Sequence, residues 1–327
     1  MEKAFAVMAV LALLCLGSLA QATIIDTVPV GDPNNAADST GYGSVGYAYN
    51  IGKYEVTAGQ YTDFLNAVAA TDTYELYNTT YMSRTDYGSG ITRGGVSGSY
   101  TYSVATDFIN RPVNYVSWGD SARFANWLGN GQPTGLQVGS TTEDGAYFLN
   151  GATTMAALNV PRKAGWTWAI TSEDEWYKAA YYKGGSTSAG YWDYPTSSAT
   201  APGRDMADAS GNNANYLTGS GAYPIDSGKY TTVAGEFQNS DSPYGTFDQG
   251  GNVWEWNEAL LYGAFRGLRG GSFNGSGALQ ASTRIAGDPA VEYSYIGFRV
   301  SAVPEPSSFI ALAGGFGMLL GLRRRRA

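Results

Sequence analysis

The chain has 327 residues, with 44 Gly, 25 Tyr and 8 Trp, a 43% hydrophobic content and a formal charge of −8. It holds no His, and its single Cys is Cys15. That excludes disulfides, Ser-His-Asp and Cys-His catalysis after residue 15, and removes the usual ligands of zinc, non-haem iron, blue copper and Fe–S clusters.

In chain order, "MEKAFAVMAVLALLCLGSLAQAT" pairs Lys3 with a short apolar run and a small-x-small site ending at Ala22. Residues 1–22 are therefore expected to be a secretory leader, removed with Cys15, and Thr23 the mature start. Residues 23–44 form an N-terminal extension of loop and edge strand, and "AYNIGKYEV" is the next strand. Thr57 then caps a helix whose Tyr61, Phe64, Leu65 and Val68 share one face. Residues 84–105, rich in Gly, Ser, Thr and Tyr, predict a long loop or a hairpin. Ser117 and Asp120 box the start of a second helix lined by Ala122, Ala125 and Leu128, with Gly129 expected as its C-cap. Thr171 or Ser172 caps a third, "TSEDEWYKAAYYKGG", whose Glu173 and Glu175 suit capping and the helix dipole better than catalysis.

From 184 to 250 the chain is mostly turns, and "RGLRGGSFNGS" and "YIGFRVSAV" close the domain as short strands. Neither a GxSxG elbow, nor a P-loop, nor a dinucleotide fingerprint occurs. The expected fold is a single irregular α+β domain spanning 45–302. Beyond it, Pro304-Glu305-Pro306 precedes an apolar run of 14 residues and four Arg. As a helix that run is about 21 Å long, short for a bilayer core of roughly 30 Å. Residues 303–327 resemble the PEP-CTERM sorting signal of Gram-negative bacteria. That resemblance implies transient anchoring, cleavage by an exosortase-type enzyme, and a place at the outer surface or in the extracellular matrix. Without its two ends the chain carries 15 basic and 26 acidic residues. Such a surface repels nucleic acid and favours cations.

Five collinear segments carry a second resemblance. "GKYEVTAGQYTDFL", "RPVNYVSWGDSARFANWL", "AITSEDEWYKAA", "YGTFDQGGNVWEW" and "RGGSF…TRIAG…YIGFRV" are similar to the motifs of the formylglycine-generating-enzyme (sulfatase-modifying factor) family. The resemblance implies a loop-rich fold related to C-type lectins. It also implies calcium at the loop before Trp-Glu-Trp, held by Asp248 and Glu255 and by the carbonyls of Gly251 and Val253. Asn215, Tyr216 and Asp226 match a second calcium site. Oxygen ligands on a tight Gly turn suit that ion.

The family's oxidase uses a copper-binding cysteine pair after Arg-Gly-Gly-Ser, and its sulfoxide synthases use His-bound iron. Here "FNGSGALQASTRIAGDPAVEYSYIG" has no Cys, and no His exists, so neither copper nor iron is expected and no catalytic residue is assigned. The resulting expectation is an exported, non-catalytic binding or structural module whose Tyr and Trp stack on extracellular polysaccharide. An enzyme using carboxylates or Tyr in the same fold is the alternative.

Overall fold

The computed structural model describes residues 22–218, 224–275 and 278–303. Helix α1 is Ala58–Val68, and its capping box is reciprocal: Gln60 N donates to Thr57 Oγ1 at 3.2 Å, and Thr57 N to Gln60 Oε1 at 2.9 Å. Two donors that the first turn would leave orphaned are thereby satisfied. Ser117 and Asp120 do the same for α2, Trp118–Gly129, and Ser172 with Glu175 for α3, Glu173–Tyr181. The α2 cap is corrected by one residue. Gly129 stays helical, Asn130 caps by donating to Asn126 O at 2.8 Å, and the left-handed turn comes at Gly131, φ 83°.

Among the described residues ten short strands form three sheets. The first orders β1 (Thr27–Val30), β2 (Tyr49–Gly52), β10 (Val300–Ala302) and β5 (Trp168–Ile170), all antiparallel. β1 lies inside the segment read as an extension, and its pairing makes that segment part of the sheet. β3 (Ile91–Gly94) and β4 (Thr101–Val104) are a separate hairpin, which decides between loop and hairpin for 84–105. The third sheet orders β8 (Ile285–Gly287), β7 (Phe265–Arg269), β6 (Trp254–Leu261) and β9 (Ile296–Phe298), with β6 and β9 parallel. From Tyr182 to Val253 the described residues hold only isolated bridges.

Aromatic contacts join the layers. Phe64 of α1 meets Phe124 of α2 edge-on at 5.4 Å, and Phe124 meets Phe298 of β9 at 5.4 Å. Rings at that spacing contribute about 0.5–1.5 kcal/mol beyond their buried area. Trp256, fully buried, donates to Val116 O at 3.0 Å and fixes β6 against the entry to α2. No helix of the described residues is long and apolar enough to cross a membrane. Pro304, Glu305 and Pro306, the apolar run and residues 1–21 lie outside the described residues, whereas Ala22 is described and exposed.

Candidate functional site

The turn that feeds β6 is wound by three left-handed residues: Asp248 (φ 60°), Gly251 (φ 91°) and Asn252 (φ 57°). A Cβ on Gly251 would lie 2.2 Å from Asn215 O, so only glycine lets the turn close on the Asn215 segment. Asn252 Oδ1 then accepts from Thr232 N at 2.9 Å and from Asn215 Nδ2 at 3.1 Å. Of the second expected calcium set, Asn215 therefore meets the first set at this turn. Asp248 Oδ2 accepts from Gly235 N at 2.6 Å. Burial, with the Glu255 charge added, lifts the Asp248 carboxyl to about 6 against the pull of Gly235 N–H and Arg299.

Glu255 has a protein countercharge. Its oxygens accept from Arg299 Nε and Nη2, each at 2.6 Å, and from Trp176 Nε1 at 2.7 Å; both charged side chains are fully buried. Arg299 also donates to Gly52 O and Phe247 O, so one guanidinium ties β2, the turn and β6 together. A cation placed on Glu255 would face that guanidinium, so Glu255 fits a calcium ion poorly in this arrangement.

Glu55 is different. It is 1% exposed, neither carboxylate oxygen has a hydrogen-bond partner, and burial followed by the charges of Asp248 and Glu255 pushes its carboxyl well above the usual range. Asn215 Oδ1 is likewise buried without a donor. Orphaned oxygens of this kind fit a hard cation. The rest of the second set is engaged elsewhere: Tyr216 OH donates to Pro202 O at 2.6 Å and Asp226 pairs with Arg111. Among the described residues no three Asp, Glu, His or Cys side chains converge as metal ligands. Backbone carbonyls would have to supply much of any calcium shell here.

Of the two acids expected to serve capping and the dipole of α3, Glu175 caps the helix, and both pair with arginines. Glu173 accepts from Arg269 Nε at 2.8 Å and Arg284 Nη2 at 2.6 Å, and Glu175 caps α3 while accepting from Arg162 at 2.8 and 2.9 Å. Burial works against the Glu175 charge, and Arg162 reverses it, holding that carboxyl below its usual range.

Beyond Arg269-Gly270-Gly271-Ser272 the cysteine-free segment is pinned by Arg269 Nη1, which donates to Ala281 O at 2.7 Å and Thr283 O at 2.9 Å. Next to it runs a row of rings drawn from four distant loops. Tyr81 stacks on Tyr115 at 5.1 Å, Tyr115 lies 6.3 Å from Tyr87, Tyr87 6.2 Å from Tyr230, and Tyr230 5.4 Å from Phe273. Tyr293 and Tyr295 stack in parallel at 5.3 Å, and Tyr115 N donates to Tyr293 O at 3.1 Å. Tyr81 and Tyr293 are 43% and 46% exposed. Tyr115 holds φ 56°, a left-handed conformation that costs a bulky residue about 1–3 kcal/mol. Sequence reading missed this row and missed Glu55: their members are far apart in the chain, so no spacing marks them.

The model of the sulfatase-modifying factor enzyme 1-like domain matches residues 37–303, and the chain belongs to that family. Among solved structures it is similar to Treponema denticola variable protein 1, at 20% identity and a TM-score of 0.52, over 85% of this chain and 95% of that one. It is also similar to CarF, at 17% identity and a TM-score of 0.52, over 87% of this chain and 100% of that one. These likenesses concern the fold, a mixed α+β, loop-rich domain of the formylglycine-generating-enzyme and C-type-lectin-like kind. No curated protein matches the sequence.

Proposed function

We propose that this protein is an exported, non-catalytic module that binds extracellular polysaccharide with its ring row and is stabilised by calcium near Asp248 and Asn215. The observation that carries the reading is the row from Tyr81 to Phe273, which ends at the segment where the family's oxidase keeps its cysteines. A strained Tyr115 inside that row is the kind of backbone outlier that function retains. Tyr115 and Phe273 are buried, and the exposed rings of Tyr81 and Tyr293 beside them offer apolar faces and hydroxyl tips that suit sugars. The leader ending at Ala22 and the signal at Pro304-Glu305-Pro306 support export and exosortase processing.

Retention on immobilised extracellular polysaccharide tests the binding. Tyr81→Ala and Tyr293→Ala should each weaken binding about 3- to 10-fold, as expected for losing one stacking ring of about 0.5–1.5 kcal/mol. Equal retention by wild type and both variants would end the polysaccharide reading. A sulfatase-type Cys peptide incubated with the protein, copper and oxygen should yield no aldehyde by mass spectrometry. An aldehyde would end the non-catalytic reading.

A further inference from the structure

A cavity of about 990 Å³ lies away from the ring row, between the first residues of the described chain, α1 and the turn after α2. Its lining includes the acidic residues Asp26, Glu55 and Asp63, the carboxyl of Glu55 being buried, and neither Lys nor Arg. At its rim the backbone of Thr23 is gripped by one side-chain amide. Thr23 N donates to Gln132 Oε1 at 2.6 Å, and Gln132 Nε2 donates to Thr23 O at 2.8 Å. Thr23 Oγ1 donates to Asp63 Oδ2 at 3.0 Å, and Gln60 Nε2 donates to Ile24 O at 2.9 Å. Thr23 is buried by these contacts while its neighbours Ala22 and Ile24 are exposed.

The receptor is itself specially built. Gly131 (φ 83°) and Gln132 (φ 59°) are consecutive left-handed residues, and Gln132 N is anchored to Trp127 O at 2.9 Å. A non-glycine residue held in that region carries strain that the surroundings must sustain. The strained residue is the one that grips Thr23.

Thr23 is also the residue that leader removal would make the first. We propose that cleavage after Ala22 installs the Thr23 α-ammonium as the countercharge of this acidic cavity, so that export processing and stability are coupled through Gln132 and Asp63. Hydrolysis of the Ala22–Thr23 peptide bond converts one N–H donor into a charged group with three. One donor keeps Gln132, and the others become available to Asp63 and the cavity. The inference rests on the export reading above.

The groups in hydrogen-bond contact with Thr23 are Asp63 from α1 and the neutral Gln132; Asp26 lines the same cavity, and the Glu55 carboxyl is buried behind its wall. An α-amine ordinarily titrates near 7.7–8.0. The Asp63 carboxylate beside it would raise that value in the folded state. Its stabilisation is then fully present below about 7.7 and is lost as pH rises through the higher folded value.

Two chains differing only at the start would be compared by thermal melting: one beginning with a free Thr23, one with Gly-Ala22 retained ahead of it. The free-amine form should melt about 2–4 °C higher at pH 6, with the gap closed by pH 10. Asp63→Asn keeps an acceptor for Thr23 Oγ1, so it should abolish the gap while leaving the extended chain's melting point within about a degree. N-terminal sequencing of the exported protein separates the two readings. A start other than Thr23 overturns the processing site. A start at Thr23 with no gap, or a gap indifferent to Asp63→Asn, overturns the clamp.

Discussion

Glu255 and Glu55 are both buried carboxylates on which the charge of Arg299 acts, yet their surroundings are opposite. Glu255 receives two charge-assisted hydrogen bonds from Arg299 and a third from Trp176. Glu55 receives none, and Asp248 and Glu255 repel its charge. Elsewhere Arg162 neutralises Glu175 and Arg123 neutralises Glu143, while Asp120 and Glu292 are left to repel each other. The fold thus divides its interior acids into those answered by a protein cation and those that are not. Answered acids lock the scaffold; unanswered ones are sites where a proton or an ion decides stability.

The largest effect should come from breaking an answered pair. Arg299→Met leaves Glu255 charged and buried, and should cost about 3–5 kcal/mol in denaturant unfolding. Adding Glu255→Leu to that variant should recover most of the loss, because removing both charges is far cheaper than stranding one. Failure of the double variant to recover would mean that the Gly52 and Phe247 carbonyls, not Glu255, are what Arg299 chiefly serves.

Calcium sharpens the other side of the comparison. At a hundredfold excess over its dissociation constant it should stabilise the native state by about 2.7 kcal/mol. Asp248→Asn should remove most of that gain, and chelator should lower the wild-type melting temperature by several degrees. Glu55→Gln should raise stability in chelator near neutral pH, since it removes a buried carboxyl whose raised titration costs stability there. A melting curve indifferent to both calcium and chelator would leave Glu55 as a carboxyl kept protonated by its surroundings.

A third prediction uses Asp120 and Glu292, which repel each other although the charge of Arg123 pulls the Asp120 value down. Burial, then the charge of Asp120, pushes the Glu292 carboxyl to about 8. A raised carboxyl favours folding while protonated, so stability should fall as pH climbs from about 4.5, the ordinary value, to about 8. The loss is shared by the pair, because the two carboxyls titrate together. Glu292→Gln should flatten this slope, which melting from pH 5 to pH 8 would measure. The smallest effect belongs to a cap: Ser172→Ala should cost about 1 kcal/mol and leave every buried pair in place.

Local chemistry is what the sequence made legible. Thr57 ahead of a periodic apolar face, and Ser117 three residues from Asp120, announce helix starts because a cap and what it serves lie within one turn. The turn at 248–253 shows itself through its Gly-Gly-Asn wording. Opposite signs brought together from afar leave no such mark. Arg299 finds Glu255 across 44 residues and Gly52 across 247. The left-handed Tyr115 and the ring row are equally silent, since Tyr81 and Tyr230 look like any other loop tyrosines.

Strand β10 has a consequence in time. Ser301 pairs on one side with Ile51 and on the other with Ala169, so one of the two inner strands of the first sheet is the last described strand of the chain. While residues 170–300 are being synthesised, at about 5–20 per second, β2 and β5 each present an unpaired edge. Exposed edges invite pairing with other chains. Every copy must therefore be kept apart from its neighbours until three residues near its end arrive to separate two strands made long before.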